Sequence, residues 1–241
     1  MSLSGLGDTG EAQPLPALFP APEPGTPTPG PTRRRTGPTP LEPDADEAGR
    51  QLVFFGAEAA EPAIADLAGL LAGPGEVVRM GGTARLTVRV DAGWRVHVLV
   101  AELASRGLAA SWEQTGDERH AVRTSYTRAL QPLAVAWLHG PGKRPPATFH
   151  LTGRRLRLWL AAAGAPEPPG GFLLRLGESD QECWEPIGAA LAAAGLAGAL
   201  LGPEEGGPAY RITGRRRLGR LAELVGEPPR AAPHDAWPTR P

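Results

Sequence analysis

The alternation of apolar and polar residues predicts one clear strand near the middle of the chain. Leu86, Val88 and Val90 alternate with polar residues from position 85 to position 90, which is the period-2 pattern of a half-buried strand. A strand of this kind is typical of an antiparallel sheet with one face covered by helices and one polar face. Two further strands are predicted at 109–113 and 119–126.

Apolar residues at helical spacing predict three helices around these strands. The first covers residues 57–72 and is broken by Pro74. The second follows Asp91, a favourable N-cap residue, and ends at Gly107. The third is followed by a Gly- and Pro-rich linker at 140–146. Its apolar face consists of Leu130, Leu133, Ala134, Trp137 and Leu138.

The same succession of elements returns 88 residues later. After a shift of 88, residues 84–138 align with residues 172–226 without a gap. Apolar residues keep the same helical phase, Ser179 replaces Asp91 as an N-cap, and Gly195 ends the helix that Gly107 ends in the first copy. Composition bias explains single identities but not shared caps, phase and helix ends together, so we predict an internal duplication.

Each copy begins with a helix rich in apolar and small residues. The first reads DLAGLLAGPGEV from Asp66 to Val77, and the second reads RLRLWLAAAG from Arg155 to Gly164. These segments resemble the signature of the LAGLIDADG family over residues 57–226. In that family two such helices pack side by side, and each leads into one half of a saddle-shaped sheet that lies on DNA.

The repeat and the resemblance together predict an α+β fold of two tandem LAGLIDADG-like repeats. The sheets are antiparallel, the helices lie on one face, and a near-twofold axis relates the copies.

Both ends of the chain are Pro-rich with little apolar periodicity, so they are predicted to be disordered. Residues 51–55 are a short apolar segment suited to an edge strand. The predicted boundaries are 1–50 and 227–241 for the tails, 51–146 for the first repeat with its linker, and 147–226 for the second repeat.

The resemblance also leads to an expectation about catalysis. In the homing endonucleases of the family, an acid near the end of each signature helix holds a divalent metal ion at the scissile phosphates. Pro74 and Ala163 stand at those positions here, and neither side chain binds a metal ion. We therefore expect no metal, no cofactor and no enzymatic activity, as in the non-cleaving branch that the sporulation regulator WhiA represents.

The chain departs from that branch in one respect. The WhiA family carries a helix-turn-helix domain after the duplicated unit, whereas here a Pro-rich segment follows Gly226. We expect no helix-turn-helix domain, which removes one source of DNA affinity.

Charge and cysteine content narrow the class of protein. The formal net charge is −1, far from the strongly basic balance of a non-specific nucleic-acid binder. The single cysteine, Cys183, excludes an internal disulfide and a multi-thiolate metal site. The sequence shows neither a membrane-spanning apolar stretch nor a signal peptide, so a cytoplasmic location is expected.

Polar strand positions supply the candidate DNA contacts. Guanidinium groups grip phosphates or pair with guanine, and Arg123 and Arg211 occupy the same position in both copies. For each residue the alternative is a solvated or ion-paired side chain of the sheet surface. The candidate residues are Arg85, Thr87, Arg89, Arg123, Arg175 and Arg211.

Two functions remain open from the sequence. The first is a catalytically inactive LAGLIDADG-like protein that binds duplex DNA and regulates transcription. The second is a duplicated α+β scaffold that holds a protein partner and does not bind nucleic acid. Neither function requires a membrane.

Overall fold

A computed structural model describes residues 61–140 and 142–239 of the chain. The predicted N-terminal tail, residues 1–50, and the start of the first repeat, residues 51–60, lie outside the described residues.

The first half follows the order helix, hairpin, helix, hairpin, helix. A 3-10 turn, Ile64–Leu67, leads into the first helix, and another, Arg128–Leu130, leads into the third. The elements are α1 (Ala68–Ala72), β1 (Glu76–Met80), β2 (Thr83–Val90), α2 (Gly93–Ala104), β3 (Ala110–Gln114), β4 (His120–Thr124) and α3 (Gln131–Trp137).

The second half repeats this order. Between the halves lies a short two-stranded ribbon of β5 (Leu138–His139) and β6 (Gly142–Lys143). The elements of the second half are α4 (Gly153–Ala163), β7 (Gly164–Glu167), β8 (Gly171–Arg175), α5 (Gln181–Ala193), β9 (Ala199–Leu201), β10 (Ala209–Thr213) and α6 (Arg215–Val225). A 3-10 turn, Pro203–Glu205, joins β9 to β10, and a last one, His234–Ala236, follows α6.

Each half has one four-stranded antiparallel sheet. The strand orders are β1-β2-β4-β3 and β7-β8-β10-β9, so the two sheets have the same topology. Leu86, Val88 and Val122 on one sheet and Leu174 and Ile212 on the other point towards the helices and are buried. This arrangement confirms the predicted α+β fold with helices on one face of each sheet.

The two signature helices pack directly against each other. A Cβ atom at Gly69 of α1 would lie 1.9 Å from the carbonyl oxygen of Arg155 in α4, so only glycine allows this approach. Close to the end of α1, Gly73 lies against the indole of Trp159, whose Nε1 donates to the carbonyl of Arg175 at 2.7 Å. The small residues of the signature therefore serve a backbone contact, as the sequence predicted.

The repeat contains an insertion that the gap-free alignment missed. Ala121 pairs with Arg89, whereas the equivalent Ala209 pairs with Arg175 rather than with Gly177. The second half thus has two additional residues between β8 and α5. Since side chains alternate with a period of two, a two-residue shift keeps the same residues on the buried face, which is why the alignment looked continuous.

The first hairpin of each half has two strands, β1 with β2 and β7 with β8. In the second half β7 includes Pro166, which sits at the sheet edge, where a missing N–H costs no ladder bond. The turn between β7 and β8 consists of residues 168–170, one residue longer than the turn at 81–82 in the first half.

The C-terminal segment differs from the expected disordered tail. Trp237 is 3% exposed, and its indole Nε1 donates to the carbonyl of Gly226 at 2.9 Å. The guanidinium of Arg157 lies over the same ring at 5.1 Å. A large aromatic side chain buries about 150–250 Å², so Trp237 anchors a Pro-rich segment that shows no apolar periodicity. Among the helices in the described part of the chain, none could span a membrane.

Candidate nucleic-acid interface

The face of the first sheet that points away from the helices carries the predicted contact residues of the first half. Register places Thr87 opposite Arg123 and beside Glu76, and it places Arg85 opposite Val78. Arg89 follows on the same face because it lies two residues beyond Thr87. Thr87 is only 8% exposed, so its hydroxyl is far less accessible than the arginines around it. We call this surface, which points away from the helices, the outer face of the first sheet. It also exposes Val78 and Met80.

The second sheet has an outer face of its own, with fewer cations. Arg175 and Arg211 lie on it, together with Leu173 and Glu167. Arg211 pairs with Ala199 of β9 just as Arg123 pairs with Ser111 of β3. The two arginines therefore occupy equivalent places in the two sheets.

Most of these arginines already have an acidic partner. Arg89 contacts Glu76 at 2.5 Å, and Arg123 contacts Glu113 at 2.5 Å. Arg211 donates through Nε and Nη2 to both oxygens of Glu167 at 2.6–3.0 Å, and these hydrogen bonds raise the pKa of its guanidinium. The outer faces are therefore closer to neutral than the number of arginines alone indicates.

The remaining two arginines have other partners. The guanidinium of Arg85 lies over the ring of Tyr126 at 4.8 Å, and its Nε is buried without a hydrogen-bond partner among the described residues. Arg175 donates to the carbonyl of Gly206 at 3.2 Å. Tyr126 thus holds Arg85 against the sheet surface through a cation–π contact.

A cleft of about 660 Å³ lies where the two signature helices end. Pro74 and Ala163, the two positions at which the resemblance expects acids, both line it. Its charged lining comes from both halves: Glu76, Arg89, Asp91 and Arg119 from the first, and Arg175, Glu178 and Asp180 from the second. Across residues 61–140 and 142–239, no group of three or more His, Cys, Asp or Glu side chains is arranged to hold a metal ion.

A buried cation caps the end of each signature helix behind this cleft. Lys143 donates to the carbonyls of Gly73 and Gly75, which follow α1, at 2.9 and 2.7 Å, and it pairs with Asp180 at 2.7 Å. A lysine at a helix C-terminus satisfies orphan carbonyls and opposes the negative end of the helix dipole.

Arg95 does the same for α4. Its Nη1 donates to the carbonyls of Leu160 and Ala161, its Nη2 donates to the carbonyl of Gly164, and its Nε bonds Asp91 at 2.8 Å. Burial lowers the pKa of Arg95, and the carboxylate of Asp91 opposes that shift. We call Lys143 and Arg95 the helix-end cations.

Sequence reasoning did not find the helix-end cations. Asp91 was taken as an N-cap of α2, whereas the structure shows no side-chain cap there and pairs Asp91 with Arg95 one helical turn on. That spacing, together with the single lysine of the chain, was the available signal. The carbonyl partners lie 65–70 residues away in sequence, beyond the reach of any local pattern.

Cys183 is buried, as an unreactive structural thiol would be. Its Sγ donates to the carbonyl of Lys143 at 3.0 Å, and burial raises its pKa to about 11. Activated cysteines have a lowered pKa, so this environment is that of a structural thiol.

The comparisons with known proteins concern the fold. No family model matches the chain, and no curated protein matches it. Among solved structures, the homing endonuclease I-WcaI bound to its DNA recognition sequence is similar at 13% identity, with a TM-score of 0.50 over 66% of this chain and 78% of that chain. This likeness shows that the chain has the LAGLIDADG-type fold.

Two structures of the homing endonuclease I-DmoI also match. Mesophilic variants of I-DmoI give a TM-score of 0.39 at 14% identity, over 67% of this chain and 94% of theirs. I-DmoI in complex with DNA and Mn gives a TM-score of 0.39 at 13% identity, over 68% of this chain and 96% of that chain.

These findings correct one expectation from the sequence. We expected that the chain is not an enzyme, but I-WcaI, which has a similar structure, is a homing endonuclease and therefore an enzyme. The loss of two acids at the helix ends was therefore too narrow a basis for that expectation. At 13% identity the likeness to I-WcaI is one of fold.

Proposed function

We propose that this chain binds duplex DNA across the outer faces of its two sheets. The observation that carries the proposal is the placement of Arg123 and Arg211 at equivalent positions of two sheets with the same topology. Two related sheets can contact two successive segments of one duplex. The homing endonuclease I-WcaI, which has the same fold, is bound to its DNA recognition sequence.

The ion pairs on the outer faces do not prevent phosphate binding. The side chains of Arg89 and Glu76 are each about half exposed, and exposed pairs contribute only about 0–1 kcal/mol. A phosphate oxygen can therefore replace a glutamate oxygen on the same guanidinium at small cost, although the displaced carboxylate then repels the duplex. We expect moderate affinity that falls with rising salt.

The finer proposal is a regulatory role of the kind found in the WhiA family. Its support is at the ends of the signature helices, where Pro74 and Ala163 stand at the cleft and Lys143 and Arg95 bind the carbonyls of Gly75 and Gly164. This arrangement fixes the two signature helices relative to each other, which suits a protein that holds DNA in one geometry.

A mobility-shift assay with duplex DNA over a salt series tests the proposal. The double variant Arg123→Ala/Arg211→Ala removes one outer-face cation from each sheet and is expected to weaken binding about tenfold or more at ~50 mM salt, with a shallower salt dependence. The control is Arg216→Ala, which removes an exposed arginine from α6 in the helix layer.

Equal affinity of the double variant and the parent would overturn the proposed face. Absence of binding at ~50 mM salt would overturn DNA binding altogether and would favour the protein-scaffold function. The observation that favours the scaffold function is the apolar pair Val78 and Met80 on the outer face, which are 44% and 59% exposed.

A further inference from the structure

The edge strand β3 has no second strand partner within residues 61–140 and 142–239, because it ends the order β1-β2-β4-β3. On the side of β4, the amide of Ser125 donates to the carbonyl of Ala109 at 3.0 Å. Bonded and non-bonded pairs alternate along an antiparallel ladder, so the register decides which backbone groups of β3 point away from β4. These are the N–H and C=O groups of Ala110, Trp112 and Gln114.

Trp112 adds a large apolar side chain to this edge. It lies on the helix side of the sheet, since it is opposite the buried Val122 in register, but it is 54% exposed. Its ring contacts His120 edge-on, with centroids 5.6 Å apart. Outward-pointing backbone groups beside an exposed aromatic ring are a template for a further strand.

The edge strand β7 of the second sheet shows the opposite treatment. It contains Pro166, and it contacts the 3-10 turn His234–Ala236, which precedes the buried Trp237. Proline, lysine and a covering segment are common means by which proteins protect a sheet edge. The sequence of β3, ASWEQ, contains neither proline nor lysine. This strand therefore keeps the ability to pair.

The backbone of β3 is complementary to a second copy of itself that runs antiparallel. With a twofold axis at Trp112, this residue faces its own copy, and Ala110 faces Gln114 of the other copy. All three outward-pointing residues then form bonded pairs, with about six hydrogen bonds in total because each such pair exchanges two. A shift of the register by two residues would keep only two of these pairs. The symmetric register is therefore the one that satisfies the edge.

The side chains fit the same register. On the helix side, the two Trp112 rings meet across the axis, where aromatic pairs stabilise neighbouring strands. On the outer face, Glu113 lies opposite Ser111 of the other copy, so that the two carboxylates are not directly opposed, an arrangement that would destabilise the pair. Each Glu113 also keeps Arg123 of its own chain at 2.5 Å. The edge thus matches itself in both charge and apolar area.

We propose that this chain forms a homodimer through β3, in which the first sheets of two copies join into one continuous antiparallel sheet. The contact is isologous, with the same residues on both sides of a twofold axis. A perpendicular axis places both helix layers on one side, so the outer faces of the two first sheets become neighbours.

The equivalent strand of the second sheet, β9, offers a weaker edge. It has three residues, and Ala199 pairs with Arg211 just as Ser111 pairs with Arg123. By this equivalence only Leu200 of β9 points its backbone groups outward, which allows about two hydrogen bonds to a second copy. The dimer therefore uses β3, and pairing stops at two copies.

Sedimentation velocity of the full 25.2 kDa chain without DNA tests the dimer. The contact is small, so we expect a reversible dimer at protein concentrations of about 10–100 μM. Trp112→Lys and Gln114→Pro should each raise the dissociation constant about tenfold or more, since lysine and proline block edge pairing. Gln114→Pro removes an outward N–H and costs no bond to β4; circular dichroism checks that both variants fold. The matched control is Leu200→Lys on β9, which should dimerise like the parent.

Cross-linking locates the contact. In the dimer the two copies of Ser111→Cys are diagonal neighbours about 7–8 Å apart, so a short bis-maleimide should link them, and peptide mapping should identify residue 111. Ala199→Cys, the equivalent position on β9, is the control, and the native Cys183 is buried.

Three results would overturn the proposal. A monomer at all concentrations would show that β3 does not pair with a second copy. Equal cross-linking of Ser111→Cys and Ala199→Cys would place the contact elsewhere, and species larger than a dimer would show that pairing continues from copy to copy. Because these measurements contain no DNA, their outcome is independent of the proposed function.

Discussion

The two halves of this molecule keep the same geometry at the ends of their signature helices but reach it with different residues. The carbonyls of Gly75 and Gly164 are equivalent, and each accepts a hydrogen bond from a buried cation. For Gly164 that cation is Arg95 on α2. The equivalent position on α5 is Cys183, which is too short, and Lys143 from the ribbon between the halves takes over.

This difference shows which property of the duplication has been retained. The donor residue, its element and its position in the sequence all differ between the halves, yet both helix ends are satisfied by a cation. Unpaired carbonyls at a buried helix end are costly, so the requirement persists even when the residue that meets it changes. Internal repeats can therefore be compared by the backbone groups that need partners as well as by residue identity.

The largest loss in the free energy of unfolding is expected for Arg95→Met. The substitution removes the Arg95 donor from the carbonyls of Ala161 and Gly164, while the Leu160 carbonyl keeps the N–H of Gly164. Each buried acceptor left unsatisfied costs about 1–3 kcal/mol. Urea denaturation should show this loss in the free energy of unfolding. Arg89→Met is the matched control, because its pair with Glu76 is about half exposed, and it should change stability by less than about 1 kcal/mol. A loss of similar size in both variants would contradict the role of Arg95.

Lys143→Met should be the next most destabilising change, at about 2–3 kcal/mol. It removes two carbonyl contacts rather than three, and Asp180 is 20% exposed and can be hydrated. Hydrogen exchange can separate the two variants. Lys143→Met should speed exchange just after α1, at residues 75–77, and Arg95→Met just after α4, at residues 164–166. The same exchange pattern in both variants would contradict a separate cation for each helix.

The sequence predicted the fold well because the fold follows from repeated local patterns. Leu86, Val88 and Val90 lie on the buried face of β2, and both signature helices end in the predicted places. Trp237 could not be predicted in the same way, because one aromatic residue in a Pro-rich segment has no periodicity. The two-residue insertion after β8 was missed because a shift of two keeps every side chain on its face.

The candidate site was only partly predictable for a different reason. Strand alternation places Arg85, Arg89 and Arg123 on one face, and the structure has them there. Their acidic partners Glu76 and Glu113 come from neighbouring strands, so pairing depends on register between strands rather than on any one strand's pattern. The helix-end cations bind carbonyls 65–70 residues away in sequence, and the only local hints were the Asp91–Arg95 spacing and the single lysine.

A third variant, Gly69→Ala, addresses the contact between the signature helices. The added Cβ would lie 1.9 Å from the Arg155 carbonyl oxygen, which belongs to rigid backbone, so the helices must separate. We expect a loss of about 1–3 kcal/mol in the free energy of unfolding. Gly93→Ala at the start of α2 is the control, since a Cβ there meets open space. Equal stability of both variants would show that the helix contact is looser than described.

The smallest expected effect concerns DNA affinity and the difference between the two outer faces. Arg123 and Arg211 are equivalent, but their acidic partners reach them from opposite neighbours: Glu113 lies on β3, and Glu167 on β7 reaches across the bare Gly171. At the place of Gly171 the first sheet has Arg85, and at the place of Glu167 it has the apolar Val78. The second outer face therefore carries a more tightly held arginine and one cation fewer.

Glu167→Gln tests whether that acid limits DNA binding by the second sheet. The change removes a carboxylate that would repel phosphate and releases Arg211 from a bonded pair, so duplex affinity at low salt should rise about two- to fivefold. Glu113→Gln should give a smaller increase, because Glu113 contacts Arg123 through one oxygen and is 58% exposed. Titration of both variants in the mobility-shift assay measures the difference. An unchanged affinity in both would mean that neither arginine meets the duplex, and the outer faces would then have to serve another partner.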